Sequence, residues 1–276
     1  MANIKAADVA KLRKMTGAGM MDCKKALVEA EGDINKAVEY IRERGMAIAN
    51  KRADREATEG AVIAKVSADK KKAVIVSLNC ETDFVAKNEA FVNFASSIVD
   101  LALANNPADI DELKALEFDG STVAEKVTGQ SGIIGEKVEL AYFGKIEAEA
   151  TVAYIHSGNK LATIAGFNKT GIDEQVFKDV AMQIAAMDPI AVNKDEIPAE
   201  VRDEEFKIGR EQARLEGKPE KILDKIAEGR LNKFFKERTL LNQDFVKDSK
   251  MSVDQYLKSQ NKELTVTAFK RFTLNV

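Results

Sequence analysis

An internal repeat constrains the fold of this chain of 276 residues more than any other feature of its sequence. Two segments, 61–67 and 73–78, are rich in Val, Ile and Ala, and the charged residues 69–72 between them suit a hairpin turn. The same apolar pattern returns 89 residues later, where Ile164 corresponds to Ile75. The other corresponding pairs are Ile63 and Val152, Val66 and Ile155, Leu78 and Phe167, and Asn79 and Asn168. The sequence therefore predicts two similar β-hairpins.

Each predicted hairpin is followed by an amphipathic helix and then by a further strand. In each copy, four apolar residues recur at helical spacing. Those of the first copy, Phe91, Phe94, Ala95 and Ile98, correspond in order to Phe177, Val180, Ala181 and Ile184 of the second. The later strands are expected at 138–143 and 266–272. We predict an α+β fold class with a duplicated core of two subdomains, one at 56–147 and the other at 148–192 together with 236–276.

Residues 1–55 carry three short helical patterns, which predict a three-helix bundle. Apolar stripes mark the second and third helices, at Cys23, Ala26, Leu27 and Ala30 and then at Ile34, Val38 and Ile41. Asp22 is expected to cap the second helix and Asp33 the third, because an N-cap carboxylate accepts hydrogen bonds from first-turn amides.

Residues 193–235 interrupt the second copy and predict an inserted antiparallel helical hairpin. The segment is rich in charge, and its apolar residues recur at helical spacing on both sides of Gly217 and Pro219. Its apolar surface is too small for a separate core, so we expect the hairpin to project from the body of the protein.

The composition favours a binding protein over an enzyme. Lys and Arg number 42 against 45 Asp and Glu, a net charge of −3, which argues against a protein that coats nucleic acid. Two cysteines without CxxC spacing and one histidine predict no metal site and no bound cofactor, and catalysis would depend on His156 alone. No apolar run reaches the roughly 20 residues of a membrane span and the N-terminus lacks a signal-peptide core, so we expect a cytoplasmic protein.

Two glycine-rich segments do not fit nucleotide-binding motifs. The segment 17–25 lacks the Gly-Lys-Ser/Thr ending that a phosphate loop uses for its phosphate and magnesium contacts. The glycines of 129–135 do not follow a strand of the dinucleotide-binding type. Neither segment is therefore expected to bind a nucleotide.

The segment that follows the second strand differs between the two copies. The second copy has a polar turn at 167–174, whereas the first has Asn79-Cys-Glu-Thr-Asp-Phe-Val-Ala-Lys-Asn88, with an apolar pair, Phe84 and Val85. The residues alone favour a structural interpretation, in which Phe84 packs under its own helix and Thr82 or Asp83 is an N-cap. The other interpretation is an exposed aromatic anchor for a partner protein.

Methionine and histidine supply the remaining candidate residues. Met20 and Met21 are adjacent on the predicted second helix, so at least one of them should point outward as an adaptable contact residue, although both could be partly covered. His156, on a predicted strand of the second copy, is expected to have a packing or surface role.

Two segments resemble the signatures of a known family. The segment Leu12-Arg-Lys-Met-Thr-Gly-Ala-Gly-Met-Met-Asp-Cys-Lys-Lys-Ala-Leu27 is similar to the N-terminal signature of the elongation factor Ts family, and Asn79–Asn88 is similar to its second signature. The resemblance implies a bundle of the ubiquitin-associated type, a core of two similar subdomains and a projecting helical hairpin. It also implies guanine-nucleotide exchange on elongation factor Tu, without covalent chemistry or a cofactor.

The resemblance also implies roles for individual residues. Four residues match the family's intruding loop: Thr82, Asp83, Phe84 and Val85. In that loop the Phe enters the GTPase domain, and the Asp disturbs the magnesium ion and its water. Those that match the N-terminal surface that binds the same domain are Arg13, Met20 and Met21. His156 matches a core position that meets another domain of the partner.

The C-terminal segment and the assembly of the protein give further expectations. Many bacterial members have a further helix after the last core strand, and its absence from this sequence, which ends at Val276, predicts a somewhat smaller interface. The chain could form a homodimer or a 2:2 complex through the hairpin or the core. The alternative function is an adaptor that binds a ubiquitin fold or a polypeptide without exchange activity, and an RNA-binding module ranks last.

Overall fold

The N-terminal segment of the computed structural model, which describes residues 4–274, is a bundle of three helices. They are α1 (Ala6–Thr16), α2 (Met20–Glu29) and α3 (Ile34–Lys51). The side chain of Asp33 caps α3, as predicted, by accepting hydrogen bonds from the backbone N–H groups of Asn35 and Lys36. The predicted cap by Asp22 is wrong, because α2 begins after Gly19 and Asp22 pairs instead with Arg44 at 2.6 Å.

Two three-stranded antiparallel sheets with the same connectivity follow the bundle. The first unit comprises β1 (Glu59–Val66), β2 (Lys72–Cys80), α4 (Asp83–Ala86), α5 (Glu89–Asn105), α6 (Ile110–Ala115), β3 (Glu117–Phe118), β4 (Ser121–Thr122), α7 (Val123–Ile134) and β5 (Val138–Glu147). Its sheet has the order β1-β2-β5. The short strands β3 and β4 pair separately.

The second unit repeats this arrangement around an insertion. It comprises β6 (Ala150–Ile155), β7 (Leu161–Phe167), α8 (Glu174–Met187), α9 (Ala199–Leu215), α10 (Leu223–Arg238), β8 (Asp244–Phe245), β9 (Asp248–Ser252), α11 (Val253–Gln260) and β10 (Val266–Thr273). Its sheet has the order β6-β7-β10, so the second strand of each hairpin is central in both sheets. The mixture of helices and sheets confirms the predicted α+β class.

The two sheets pack face to face, which explains the uninterrupted apolar strands. On one face of the first sheet, Val74, Val76 and Leu78 pack against α5. On its other face, Ala73 and Ile75 belong to the buried cluster that also contains Ala162 and Ile164 of the second sheet. A strand that is covered on both faces has no polar alternation, because successive side chains point to opposite faces.

Reciprocal hydrogen bonds join the two units. The backbone N–H of Val62 in β1 donates to the carbonyl of Asn159 at 2.7 Å, and the N–H of Thr151 in β6 donates to the carbonyl of Lys70, also at 2.7 Å. The repeat offset relates Val62 to Thr151 and Lys70 to Asn159. Lys70 and Asn159 both have left-handed backbones, with φ of 57° and 56°. Each unit therefore contacts the other in the same way, as subunits do across a two-fold axis.

The inserted segment forms two antiparallel helices, α9 and α10, linked by a short 3-10 turn at Glu220–Ile222. Small and apolar side chains are buried between them, namely Ala213, Leu223 and Ala227. Arg210 pairs with Glu220 and Asp224, both at 2.7 Å, across the end of the hairpin. Helix α10 ends at Arg238, beyond the predicted boundary at 235.

The bundle docks on the first unit where α3 crosses α7. A Cβ atom added at Gly132 of α7 would lie closer than 3.0 Å to the Cα of Gly45 in α3. Gly132, one of the spaced glycines of 129–135, thus permits a close helix crossing, which gives it a packing role. Among residues 4–274, no helix is long and apolar enough to cross a membrane.

Candidate functional site

Phe84 projects from a single helical turn at the end of β2. Thr82 is the N-cap of α4, and its hydroxyl oxygen accepts a hydrogen bond from the N–H of Val85 at 3.5 Å. Val85 and Ala86 pack against the core of the first unit. Phe84 points away from that core and is 84% exposed, so the interpretation that it packs under its own helix is wrong.

Asp83 presents a carboxylate beside the exposed ring. It forms an ion pair with Lys87 at 2.6 Å, one turn further along the chain. The hydrogen bond from Lys87 lowers the pKa of Asp83, and the charge of Lys160, in the hairpin turn of the second unit, adds to this effect. The turn therefore combines an aromatic ring with a negative charge at neutral pH.

Two carboxylates hold the base of the turn. Glu136 accepts hydrogen bonds from Thr82, at 3.0 Å from the backbone N–H and at 2.7 Å from the hydroxyl. Glu81 accepts one from the N–H of Lys137 at 2.6 Å. Residues 81–82 and 136–137 therefore each supply a carboxylate and a backbone N–H to the other pair, an arrangement that we call the carboxylate clasp.

The clasp also contacts the segment that follows the bundle. Arg52 and Arg55 bind the two oxygens of Glu81 at 2.7 Å and 3.0 Å. Burial of Glu81 favours the neutral acid, but the N–H of Lys137 and the two guanidinium groups outweigh it and lower the pKa of Glu81 to about 2. The anionic form of Glu81 is thus the one that the fold stabilises.

This pKa shift predicts how Glu81 contributes to stability as a function of pH. Because its pKa falls from 4.5 to about 2 on folding, the stabilisation is complete above pH 4.5 and is lost as the pH falls toward 2. We expect Glu81→Gln to lower the free energy of unfolding by about 1–3 kcal/mol at pH 6, and less at pH 3.5. Urea unfolding at both pH values measures the difference. A deficit that is the same at pH 6 and pH 3.5 would contradict this assignment.

The three candidate residues of the bundle are all on its surface. Arg13 is exposed on α1, and Met20 and Met21, the first two residues of α2, are 59% and 64% exposed. Met15 and Met46 are exposed as well, although sequence analysis did not single them out. Met15 lies three residues after the buried Leu12, so the helical pattern gives no sign of its exposure. Met20 and Met21, adjacent at the start of α2, give the bundle an adaptable apolar patch, which we call the methionine surface.

His156 directly follows β6 and is exposed. Its Nδ1 atom lies 2.9 Å from the hydroxyl of Tyr154. The same hairpin turn carries Lys160, which pairs with Glu59 and acts electrostatically on Asp83. The structure thus brings this hairpin close to the 82–85 turn. Within residues 4–274, no hydrogen bond or ion pair joins Arg13, Met20 or Met21 to that turn.

Comparison with known proteins identifies the family. The family model described as Elongation factor TS matches residues 81–276. Elongation factor Ts of Azobacteroides pseudotrichonymphae is 54% identical over 269 residues, which cover 98% of this chain and 97% of that protein. The proteins of the same name from Porphyromonas gingivalis and Flavobacterium psychrophilum are 53% and 50% identical, over 97% and 99% of this chain and 97% and 100% of their own lengths.

The chain belongs to the elongation factor Ts family. The resemblance drawn from the two signature segments is therefore confirmed, and the protein is a translation elongation factor by family. The family model begins at Glu81 and therefore includes the 82–85 turn. The relatives extend the similarity through nearly the whole chain.

Within residues 4–274, no group of three or more His, Cys, Asp and Glu side chains is placed to hold a metal ion. Cys80, beside the turn, is buried, and burial raises the pKa of its thiol to about 12. A neutral thiol of this kind is a poor nucleophile.

Proposed function

We propose that this protein is the guanine-nucleotide exchange factor for elongation factor Tu in the cytoplasm, and that the 82–85 turn promotes GDP release. The observation that carries the proposal is the 84% exposure of Phe84 on a turn that is held by its neighbours. Membership of the elongation factor Ts family supplies the partner. An adaptor function does not explain why the turn carries an aromatic ring in the first copy and polar residues in the second.

The proposed mechanism is differential binding, without covalent chemistry. An exchange factor must bind the GTPase without nucleotide more tightly than the GDP-bound form, and linkage then requires GDP to weaken factor binding by the same ratio. Phe84 enters an apolar pocket that opens in the GTPase when the nucleotide leaves. Burial of its ring would favour that form.

Asp83 acts next to the ring in this mechanism. Its low pKa keeps the carboxylate charged, so that it can disturb the water and magnesium that neutralise the phosphates of GDP. Its present partner, Lys87, is on the surface, so the ion pair can open at little cost. Thr82 and Val85 serve to hold the turn, Thr82 as the N-cap and Val85 by packing against the core.

The bundle and the second unit provide further proposed contacts. Arg13, Met20 and Met21 would bind the GTPase domain of the partner, and His156 would meet another of its domains. These surfaces supply affinity, whereas the 82–85 turn supplies the difference between the two nucleotide states.

A nucleotide-release assay tests the proposed function. Elongation factor Tu is loaded with fluorescent GDP, and release is followed after an excess of unlabelled GDP is added, with and without this protein. We expect release to accelerate in proportion to the concentration of this protein until it saturates. A folded protein that binds elongation factor Tu but leaves release unchanged would support the adaptor function and overturn the proposal.

The methionine surface gives a prediction about affinity. We expect Met20→Ala combined with Met21→Ala to weaken binding to nucleotide-free elongation factor Tu by about tenfold, or ~1.4 kcal/mol, because two exposed apolar contacts are lost. The thermal midpoint should not change, since neither side chain is buried. Titration calorimetry measures the affinity. Met46→Ala, on α3 of the same bundle, is the control, and an equal loss in that variant would argue against this surface.

A further inference from the structure

We propose that Glu136 is a positioning residue for nucleotide exchange, which holds the Phe84 ring in its projecting position by acting through Thr82. The inference rests on the proposed function. Glu136 lies in the connection between α7 and β5 and is 54 positions from Thr82 in the sequence. Neither the sequence pattern nor the family signatures assigned it a role.

The 82–85 turn needs external support because of its size. Helix α4 has four residues, and a helix of one turn has no stability of its own in water. Phe84 adds no internal packing, because its ring is exposed. The position of the ring therefore depends on the contacts of Thr82, Val85 and Ala86.

Glu136 determines how the N-cap of this turn is oriented. The hydroxyl of Thr82 has one proton, which it donates to Glu136 at 2.7 Å. The lone pairs of the same oxygen are then directed toward the N–H of Val85. The second carboxylate oxygen binds the N–H of Thr82, so backbone and side chain are both held by charge-assisted hydrogen bonds.

The clasp continues the sheet beyond its last paired residues. Cys80 of β2 and Val138 of β5 are the final pair of that ladder. Beyond this pair, side chains replace the ladder hydrogen bonds. Glu136 accepts from the backbone N–H of Thr82, and Glu81 accepts from the backbone N–H of Lys137. The turn is thereby fixed to the α7–β5 connection.

The second unit can be compared at the corresponding end of its sheet, after the last residue of β7, where the following turn is polar. There Asn168, which the repeat relates to Asn79, joins the end of β7 to the start of β10 through its amide, with the carbonyl of Glu263 at 2.8 Å and the N–H of Thr265 at 2.9 Å, and Lys169 forms an ion pair with Glu263. Gly171 stands at the position that corresponds to Thr82. Within residues 4–274, the pair of carboxylates that accept from backbone N–H groups at the end of the ladder therefore belongs to the unit that carries Phe84.

A double-mutant cycle tests the inference. We compare Glu136→Ala, Phe84→Ala and the double variant by the rate of fluorescent GDP release from elongation factor Tu at saturating factor. We expect Glu136→Ala to slow release by about tenfold in the wild-type background and to add no loss in the Phe84→Ala background, because its effect passes through the ring. Glu136→Gln retains one acceptor atom and should give an intermediate rate.

A matched control and two criteria separate this inference from the proposed function. Glu139→Ala removes a nearby carboxylate that pairs with Lys137 at 3.2 Å, and release should stay at the wild-type rate. If Phe84→Ala alone retains full activity, the proposed role of the ring fails. If Phe84→Ala is impaired but the two losses multiply, the function stands and the positioning role of Glu136 is overturned. Should Glu136→Ala be unfolded at the assay temperature, Glu136→Gln replaces it under the same criteria.

Discussion

Phe84→Ala should slow factor-dependent GDP release by about thirtyfold or more while leaving the thermal unfolding midpoint unchanged. Truncation of a well-buried aromatic anchor costs about 2 kcal/mol or more, and each 1.4 kcal/mol corresponds to a factor of ten in rate. The stability of the free protein should not respond, because the ring is 84% exposed and packs on no core residue. The fluorescent-GDP assay and a thermal melt measure both parts.

The control for this variant is another exposed apolar residue. Leu215, at the end of α9, is 80% exposed, so Leu215→Ala removes a comparable exposed apolar side chain far along the sequence from the turn. We expect Leu215→Ala to keep the wild-type release rate. Full stimulation of release by a folded Phe84→Ala protein, or an equal loss in Leu215→Ala, would contradict the proposed role of the ring.

Gly132→Ala should destabilise the docking of the bundle by about 1–3 kcal/mol, the usual cost of overpacking. The new Cβ would meet the backbone of Gly45, which cannot rotate away as a side chain would. Helices α3 and α7 must then separate, which weakens the contacts of Arg52 and Arg55 with Glu81. Limited proteolysis in the segment 52–58 and chemical unfolding measure the effect.

A glycine one turn away provides the opposite expectation. A Cβ added at Gly129 meets no atom within 4 Å, and alanine is favoured over glycine in a helix by about 1 kcal/mol. Gly129→Ala should therefore stabilise α7 and leave proteolysis of the segment unchanged. If both alanine variants behave alike, the close approach of Gly132 and Gly45 does not determine the docking of the bundle.

The sequence predicted those parts of the fold that depend on repeated apolar spacing. Ile75 and Ile164 occupy corresponding central strands in two sheets of the same connectivity, and both are buried. The pattern sufficed because strand and helix periodicity report directly which face is covered. The crossing of α3 and α7 escaped prediction, since spaced glycines in a helix do not identify their partner.

The candidate site was predicted less completely, for a physical reason. Phe84 stood out in the sequence, but its exposure depends on the direction of α4, in which Val85 packs against the core and Thr82 donates a hydrogen bond to Glu136. Glu136 is far from Thr82 in the sequence and belongs to neither signature segment, so the sequence pattern could not predict their hydrogen bonds. Asp22 shows the same limit, since Arg44 competes for it.

The matching bonds from Val62 to Asn159 and from Thr151 to Lys70 bear on how the core comes apart. If either core unit unfolds, a backbone N–H of the other unit loses its hydrogen-bond acceptor. The apolar layer that contains Ile75 and Ile164 is then exposed to water. Partial loss of one half is thus penalised in both, and the two halves should melt as one cooperative unit. The scaffold that carries the 82–85 turn is accordingly as stable as the two sheets together, rather than as stable as either three-stranded sheet alone.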